Sequence, residues 1–519
     1  MKKRQNNTKR TTNTYAKACA VTAVASLLIG ASTGVAYGFS TNTNNNAIVS
    51  SNNNEPQQGG ANTSSYDYTG SYEATSSANG KELSFDGEEL SSTTGDTNVA
   101  LAQNGGKLTL KNTTLEKTGD SNNSDNNNFY GTNSALLAVG KKSTATVADS
   151  TINTASSGSN GIFSTDSANV YASNTTISTT SDNSRGLDAT YNGTIVANKM
   201  TISTKGEHSA SLATDRGGGN VSVTNSSLQT EGSGSPLIYS TGNIQVSNVT
   251  GTATASQIAA LEGYNTILIN NSNLTSTNTS KTASDPVANG IIIYQSTSGD
   301  AETTTGETAT VKIKDSTLKS AITSGSMFYL TNTTANVVLQ NTTLDYDSSK
   351  AALLTTEGND SNNWGSQGSN GATVTFTGRN QTLNGKISVD TISTVTLNLS
   401  DNSTWTGYGT ITENSSGSTS QSPLTINIDG TSTWVVTKDT TVSNLNVANG
   451  GKIVDSNGKT VTIKANGKTV VKGDSNITVT VTGTYGTTVS QDSATEITAT
   501  VIDRSTFDST FNTSTTWSL

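Results

Sequence analysis

The sequence predicts a right-handed parallel β-helix, a solenoid whose coils stack short strands into long sheets. Units of about 25 residues repeat along the chain, most clearly between Asn160 and Glu231. They are rich in Thr, Ser, Val and Ile, with Gly and Asn between short apolar runs, which is typical of strands separated by turns. A period of roughly 20 to 50 residues indicates stacked repeats. A unit of this length fits one coil of three short strands, and such parallel connections are right-handed by default.

An aliphatic residue near the end of each unit sets the register of the repeat. Most neighbouring anchors are 23 to 26 residues apart, and apolar or small residues stand seven and five positions before them. The ten anchors are Leu90, Leu115, Ile152, Ile177, Ile202, Leu228, Gly251, Leu274, Leu318 and Leu344. We expect the aliphatic anchors to be buried and to stack on one another about 4.8 Å apart.

The position three residues before the anchor is Asn or Asp in eight of the ten units. These residues are Asn112, Asp149, Asn174, Asn225, Asn248, Asn271, Asp315 and Asn341, and the two exceptions are Gly87 and Lys199. Asn tolerates the left-handed backbone that a tight corner needs, and stacked amides can hydrogen-bond along the axis. The pattern therefore predicts a structural ladder at one corner. A polar binding stripe is the alternative.

Two anchor spacings, 37 and 44 residues, are long enough to contain inserted segments. We place the insertions at residues 120–133, 277–286 and 296–307, and a further loop at 358–370. Insertions in a solenoid emerge as loops from one face and often bind partners. Phe129, Tyr130 and Trp364 are the aromatic residues of interest in these loops. The alternative is that each loop packs its ring against the rod.

The two ends of the chain differ from the repeats. Residues 1–38 form a predicted signal peptide with basic residues, an apolar segment at 18–31 and the small-residue cleavage site Ala36-Tyr37-Gly38, which predicts a secreted or cell-surface protein. Residues 39–79 are interpreted as a flexible Asn/Ser/Thr-rich leader, 80–374 as regular coils and 375–468 as wider terminal coils. In the wider coils Trp405 and Trp434 replace the aliphatic anchor. Residues 469–519 are predicted to form a small antiparallel β cap over the last coil.

The ionisable residues indicate a protein without catalytic chemistry. A net charge of −9 argues against binding nucleic acid by charge. The one cysteine, Cys19, lies in the signal peptide, and His208 is the one histidine. We find no paired carboxylates recurring on neighbouring coils, and we expect Arg185, Arg216 and Arg379 to lack acidic partners one coil away. The sequence therefore predicts no enzyme, no catalytic, metal or cofactor-binding residues, and no membrane span in the mature chain.

One stretch carries a resemblance to a known group of proteins. Residues 105–115 read GGKLTLKNTTL and follow a signal peptide and a polar leader in a mature chain without cysteine. Together these features resemble the right-handed parallel β-helix adhesin-like proteins of the pectate-lyase-like superfamily, and they are similar to autotransporter passengers. The resemblance covers roughly residues 80–470. We recognise no set of amphipathic barrel strands and no Leu-Pro-x-Thr-Gly sorting signal.

The resemblance implies a bacterial, secreted or surface-displayed, non-enzymatic adhesin or surface-layer component. Its partner would be a surface glycan or protein that the sequence does not name. The same scaffold also supports enzymes and glycan binders. A carbohydrate-binding module is therefore the alternative function, and a polysaccharide lyase-like enzyme is the third.

Overall fold

The computed structural model describes residues 65–301, 307–361, 363–489 and 497–519. The predicted signal peptide and residues 39–64 of the predicted leader lie outside these ranges. Within them, nearly every strand pairs in parallel with its counterpart in the next coil. The chain is a right-handed parallel β-helix, which confirms the predicted fold class.

Two long sheets run along the rod. Sheet 1 has 13 strands, one per coil. They are Glu73–Asn79, Thr97–Gln103, Leu136–Val139, Ile162–Thr165, Leu187–Ala189, Leu212–Thr214, Ile238–Ser240, Ala259–Glu262, Asn289–Tyr294, Ser326–Thr331, Ala352–Thr356, Ile387–Asp390 and Gly409–Thr412.

Sheet 2 has 23 strands and, in most coils, bends at the Asn corner into two legs. The strands of the first leg are Glu82–Asp86, Lys107–Lys111, Thr144–Ala148, Asn169–Ser173, Thr194–Asn198, Thr266–Asn270, Ala309–Lys314, Thr334–Gln340, Thr373–Arg379, Thr394–Ser400, Leu424–Ile428, Asn444–Val447 and Tyr485–Gly486. The strands of the second leg are Glu89–Ser92, Thr114–Lys117, Thr151–Thr154, Thr176–Thr179, Thr201–Thr204, Asn273–Ser276, Thr317–Ser320 and Thr343–Asp345. Asn220–Thr230 and Asn243–Ala253 continue through both legs.

Two four-stranded sheets lie toward the C-terminal end of the rod. Sheet 3 replaces the second leg and contains Thr382–Asn384, Thr404–Gly407, Thr433–Val436 and Lys452–Val454. Sheet 4 contains Thr440–Val442, Thr462–Ala465, Lys468–Val471 and Thr478–Val481.

The predicted anchors form the core. Ile177 pairs in register with Ile202, and both are almost completely buried. Apart from Gly251, the anchors from Leu115 to Leu318 are at most 2% exposed. Leu90, in the first coil, and Leu344, in the last strand of the second leg, are partly buried. Burying one such side chain per coil contributes roughly 1.5 to 3 kcal/mol. A narrow rod with few apolar residues therefore still has a continuous core.

The corner ladder is confirmed. All ten corner residues have positive φ, from 44° at Asn271 to 80° at Gly87. The amides also bond along the axis, because Asn248 Nδ2 donates to Asn225 Oδ1 over 2.6 Å and Asn341 Nδ2 donates to Asp315 Oδ1 over 2.7 Å. At these corners the Asn side chain thus stabilises both the backbone turn of its own coil and the stacking on the neighbouring one.

The structure differs from the sequence-based boundaries at both ends. The rod begins at Glu73 rather than near Gly80, because the first strand pairs with Thr97–Gln103 through small residues such as Ala78 that gave no apolar signal. The terminal coils are not uniformly wider, since stacked residues at Thr377, Asn398, Asn427 and Asn446 are 21, 29 and 19 positions apart. Trp405 and Trp434 do stack in the core, with ring centroids 4.8 Å apart.

Residues 469–519, predicted as one antiparallel cap, divide between the end of the rod and a separate segment, and they supply only two of the four strands of sheet 4, Lys468–Val471 and Thr478–Val481. Sheet 4 lies at the end of the rod, but its strands are parallel except for the pair Thr462–Ala465 and Lys468–Val471. Residues 497–519 instead fold back along the outside of sheet 2 and include the helix Ser505–Phe511. We call residues 497–519 the strap.

Candidate functional site

The described parts of three insertions, at 120–133, 296–307 and 358–370, cover part of the outer face of sheet 1. Residues 120–133, predicted to be a loop, contain the helix Ser124–Tyr130. Asn123 caps this helix by accepting a hydrogen bond from Asn126 N, and Gly131 ends it in the left-handed conformation. The helix buries Phe129, whose ring lies 3.7 Å from the guanidinium carbon of Arg216. Phe129 therefore packs against the rod, as the alternative interpretation of the aromatic residues predicted.

Beneath the insertions is a group of ionisable side chains that we call the covered cluster. Its members are Arg185, Asp188, Asp215, Arg216, Glu262 and Asp300. Arg185 lies 3.7 Å from Asp188 Oδ2 and 3.5 Å from Asp215 Oδ2. Arg216 Nε donates to Asp300 Oδ1 over 3.0 Å. All four carboxylates are completely buried, so no substrate in solution can reach them.

Burial changes the protonation of these carboxylates. It raises the pKa of Asp188 to about 6, although Arg185 opposes the shift. It raises the pKa of Glu262 to about 7, and the nearby Asp300 adds to that rise. Hydrogen bonds from Ser296 and Tyr239 to Glu262 act in the opposite direction. Because two guanidiniums face four carboxylates, burial favours retaining protons in the cluster.

The prediction that the three arginines lack acidic partners one coil away is wrong for Arg185 and Arg379, whereas the partner of Arg216, Asp300, lies three coils further along the rod. Arg185 and Arg216 pair with carboxylates of the covered cluster, and Arg379 donates to Asp401 over 2.7 Å. The repeat rule described the inward rows of sheet 2, whereas Asp188 and Asp215 lie on or next to sheet 1. The two-residue alternation in Leu187–Ala189 could have placed Asp188 on the outer face.

The other residues singled out from the sequence also pack against the rod. Trp364 is 1% exposed, and its ring centroid lies 4.2 Å from that of Tyr294. Tyr130 stacks on Tyr191 with centroids 5.5 Å apart. His208 is half-buried and lies next to Gly234. Among the described residues, no group of three or more His, Cys, Asp or Glu is placed to hold a metal ion.

The strap is held to sheet 2 by a buried arginine. Arg504 is 1% exposed and uses the donors of its guanidinium group on several partners. Nη1 donates to Ser222 Oγ over 2.7 Å, Nη2 to Ala197 O over 2.9 Å, and Nε to Thr515 Oγ1 over 2.9 Å. Burial lowers the pKa of Arg504 to about 10, which leaves the side chain charged at neutral pH. A guanidinium so fully bonded fixes the strap in one position.

Further contacts extend the attachment along the rod. Gln245 is completely buried; its amide donates to Thr500 O over 3.1 Å, and its oxygen accepts from Ile502 N over 2.8 Å. Lys312 Nζ donates to Thr498 O over 2.6 Å. Ile497 and Leu519 pack on outward-facing apolar residues of sheet 2. The strap therefore spans several coils.

A groove of about 680 Å³ lies between the strap and sheet 2. Its floor includes six residues that pair in register, one from each of six neighbouring coils, and we call them the axial row. They are Asn169, Thr194, Asn220, Asn243, Thr266 and Thr310. One wall is formed by strap residues 499–503 and 506. This strap groove is open to solvent, unlike the covered cluster.

A second groove, of about 390 Å³, lies on sheet 1 beyond the insertions. Its lining includes Lys350, Lys386, Tyr408 and one carboxylate, that of Glu357. Hydrolysis of glycosidic bonds uses two carboxylates, and the described lining offers one. Sequence reasoning could not find either groove, because each brings together residues that are distant in the chain.

No protein-family model matches the chain, and no curated protein is significantly similar to it. Within the ranges that the structure describes, no helix is both long and apolar enough to cross a membrane.

Proposed function

We propose that the chain is a non-enzymatic binding rod of a bacterial cell surface, acting as an adhesin or surface-layer component. The observation that carries this proposal is the contrast between the two faces of the rod. The four carboxylates and Arg185 of the covered cluster are buried beneath insertions, and Arg216, which pairs with Asp300, is half-buried. The larger open groove presents a row of amides and hydroxyls, one from each of six coils. Such a surface is suited to binding and offers little for acid–base chemistry.

Secretion is part of the same proposal. It rests on the basic and apolar segments of residues 1–38 and on the small residues Ala36 and Gly38. An extended rod with polar outer rows is suited to presenting a binding surface at a distance from a cell. The adhesin-like resemblance of residues 105–115 supports this role.

A carbohydrate-binding module is the second candidate, and the strap groove favours it. Asn and Thr side chains both donate and accept hydrogen bonds, as sugar hydroxyls require. This function is compatible with adhesion, because an adhesin can hold a cell through its glycans. A polysaccharide lyase-like activity has less support, because the cluster that combines arginines with carboxylates is buried.

The experiment tests cleavage and adhesion in parallel. The secreted protein is incubated overnight with polygalacturonate or alginate, with and without calcium, and unsaturated products are followed by ultraviolet absorbance. We expect no product. Beads coated with the protein, compared with albumin-coated beads, are expected to be retained on bacterial or host cell surfaces. Product formation would contradict the non-enzymatic proposal, and equal retention of both bead types would contradict adhesion.

A further inference from the structure

We propose that the strap groove binds a neutral, unbranched glycan lying parallel to the rod axis. The inference rests on the proposed binding function and names the site and the ligand class. It places the ligand away from the insertion loops that the sequence suggested as binding elements.

The first argument is the direction of the groove. The axial row contributes one short polar side chain from each coil, at intervals of about 4.8 Å along the rod. A ligand that contacts the whole row must be extended and parallel to the axis. The strap forms one wall on the same side, so a linear polymer fits this site better than a compact ligand does.

The second argument is the chemistry of the lining. All six members of the axial row are Asn or Thr, which are neutral and can donate or accept. The charged lining residues are Lys312 and Asp503, and both have contacts with the strap itself. Lys312 Nζ donates to Thr498 O, and Asp503 accepts from Ser505 N and Ser505 Oγ. These contacts favour a neutral ligand over a charged one.

The third argument is that the groove is already formed. Gln245 holds the strap backbone on both sides of Val501, and Arg504 fixes the start of its helix. A wall held in place this way loses little conformational freedom on binding.

The test uses two matched variants of the full secreted protein. Thr266→Tyr places a ring in the groove, whereas Thr396→Tyr makes the same change on the same face of sheet 2, outside the groove lining. Both threonines are half-buried. The ligands are hexamers of neutral linear glucans, mannans and chitin, a galacturonate hexamer, and an uncharged peptide of similar length. Binding is measured by calorimetry, and folding by circular dichroism.

We expect at least one neutral hexamer to bind the unsubstituted protein. Its affinity should be about tenfold or more weaker for Thr266→Tyr and unchanged for Thr396→Tyr. Equal binding by both variants would overturn the groove assignment but leave the proposed function standing. Binding of the galacturonate or the peptide alone would overturn the ligand class. If no ligand binds while coated beads still adhere to cells, this inference fails and adhesion stands. Loss of both binding and adhesion would contradict the two proposals together.

Discussion

At a corner of the rod, one Asn side chain serves two coils. Asn225 has a φ of 52°, and its amide donates to Asn198 Oδ1 over 2.7 Å while its oxygen accepts from Asn248 over 2.6 Å. Lys199 occupies the equivalent corner of the preceding coil with a φ of 55°. The left-handed conformation is therefore imposed by the fold, and Asn is the residue that satisfies it while also bonding along the axis.

Two substitutions of Asn225 separate the contribution of its hydrogen bonds from that of its left-handed backbone conformation. Asn225→Ala loses the hydrogen bonds and puts a non-Gly residue with no local hydrogen bond in the left-handed region. We expect a loss of about 1 to 2 kcal/mol in the free energy of unfolding, measured by denaturant titration. Asn225→Gly also lacks the hydrogen bonds, but glycine adopts the left-handed conformation readily. Its loss in the free energy of unfolding should therefore be smaller than that of Asn225→Ala. Equal losses for both variants would contradict a contribution from the backbone conformation.

The sequence predicted these residues well because a solenoid repeats its local rules. Anchors such as Ile177 and corners such as Asn174 recur at nearly constant spacing, so each coil supports the assignment of the others. Glu73–Asn79 was missed because Ala and Ser carry little periodic signal. Asp188 was misjudged because residues facing insertions follow no repeat.

At the scale of elements, the insertions bury side chains on the outer face of sheet 1 that would otherwise contact solvent. The helix Ser124–Tyr130 and the segment around Asp300 place charged groups where water cannot solvate them. Burying a carboxylate without a cationic partner costs free energy, and protonation of that carboxylate lowers the cost. The covered cluster should therefore make the stability of the rod depend on pH.

We expect stability to fall as the pH rises from about 4 to about 7. Glu262 has a pKa of about 7 in the folded protein, against its ordinary value of 4.5. The folded state therefore holds a proton that the unfolded state releases above about pH 4.5, and stability declines until the folded group also ionises. Glu262→Gln should reduce this decline by on the order of 3 kcal/mol, as measured by denaturant titration at several pH values.

The control for this prediction is Glu231→Gln, which removes an exposed carboxylate from the same rod. It corrects for the general effect of net charge. If the two variants show the same pH dependence, the covered cluster does not control stability in this range.

At the scale of the whole molecule, the strap connects parts of the chain that the coils keep apart. Sheet pairings join residues in neighbouring coils, such as Ile177 and Ile202. Arg504 instead contacts Ser222, 282 positions earlier. No repeat or local pattern encodes such a contact, so the strap and its groove could not be predicted from the sequence. The rod itself follows from neighbour-to-neighbour rules and was predicted correctly.

Removing the Arg504 side chain should release the strap without unfolding the rod. For Arg504→Ala we expect faster hydrogen exchange in residues 497–519, with unchanged strand content by circular dichroism. Arg504→Lys keeps the charge but not the five-donor geometry, so its exchange should be intermediate. Unchanged exchange in Arg504→Ala would show that the other contacts of the strap suffice to hold it.

The position of the strap has a consequence for the order of folding during synthesis. Each coil needs only its neighbour, so coils can form successively while the chain is being made. The strap, in contrast, closes a loop of more than 250 residues when Ile502 reaches Gln245, and such closures come late. The groove wall is therefore assembled after the rod. A truncated chain could display coils, but it could not present the finished groove.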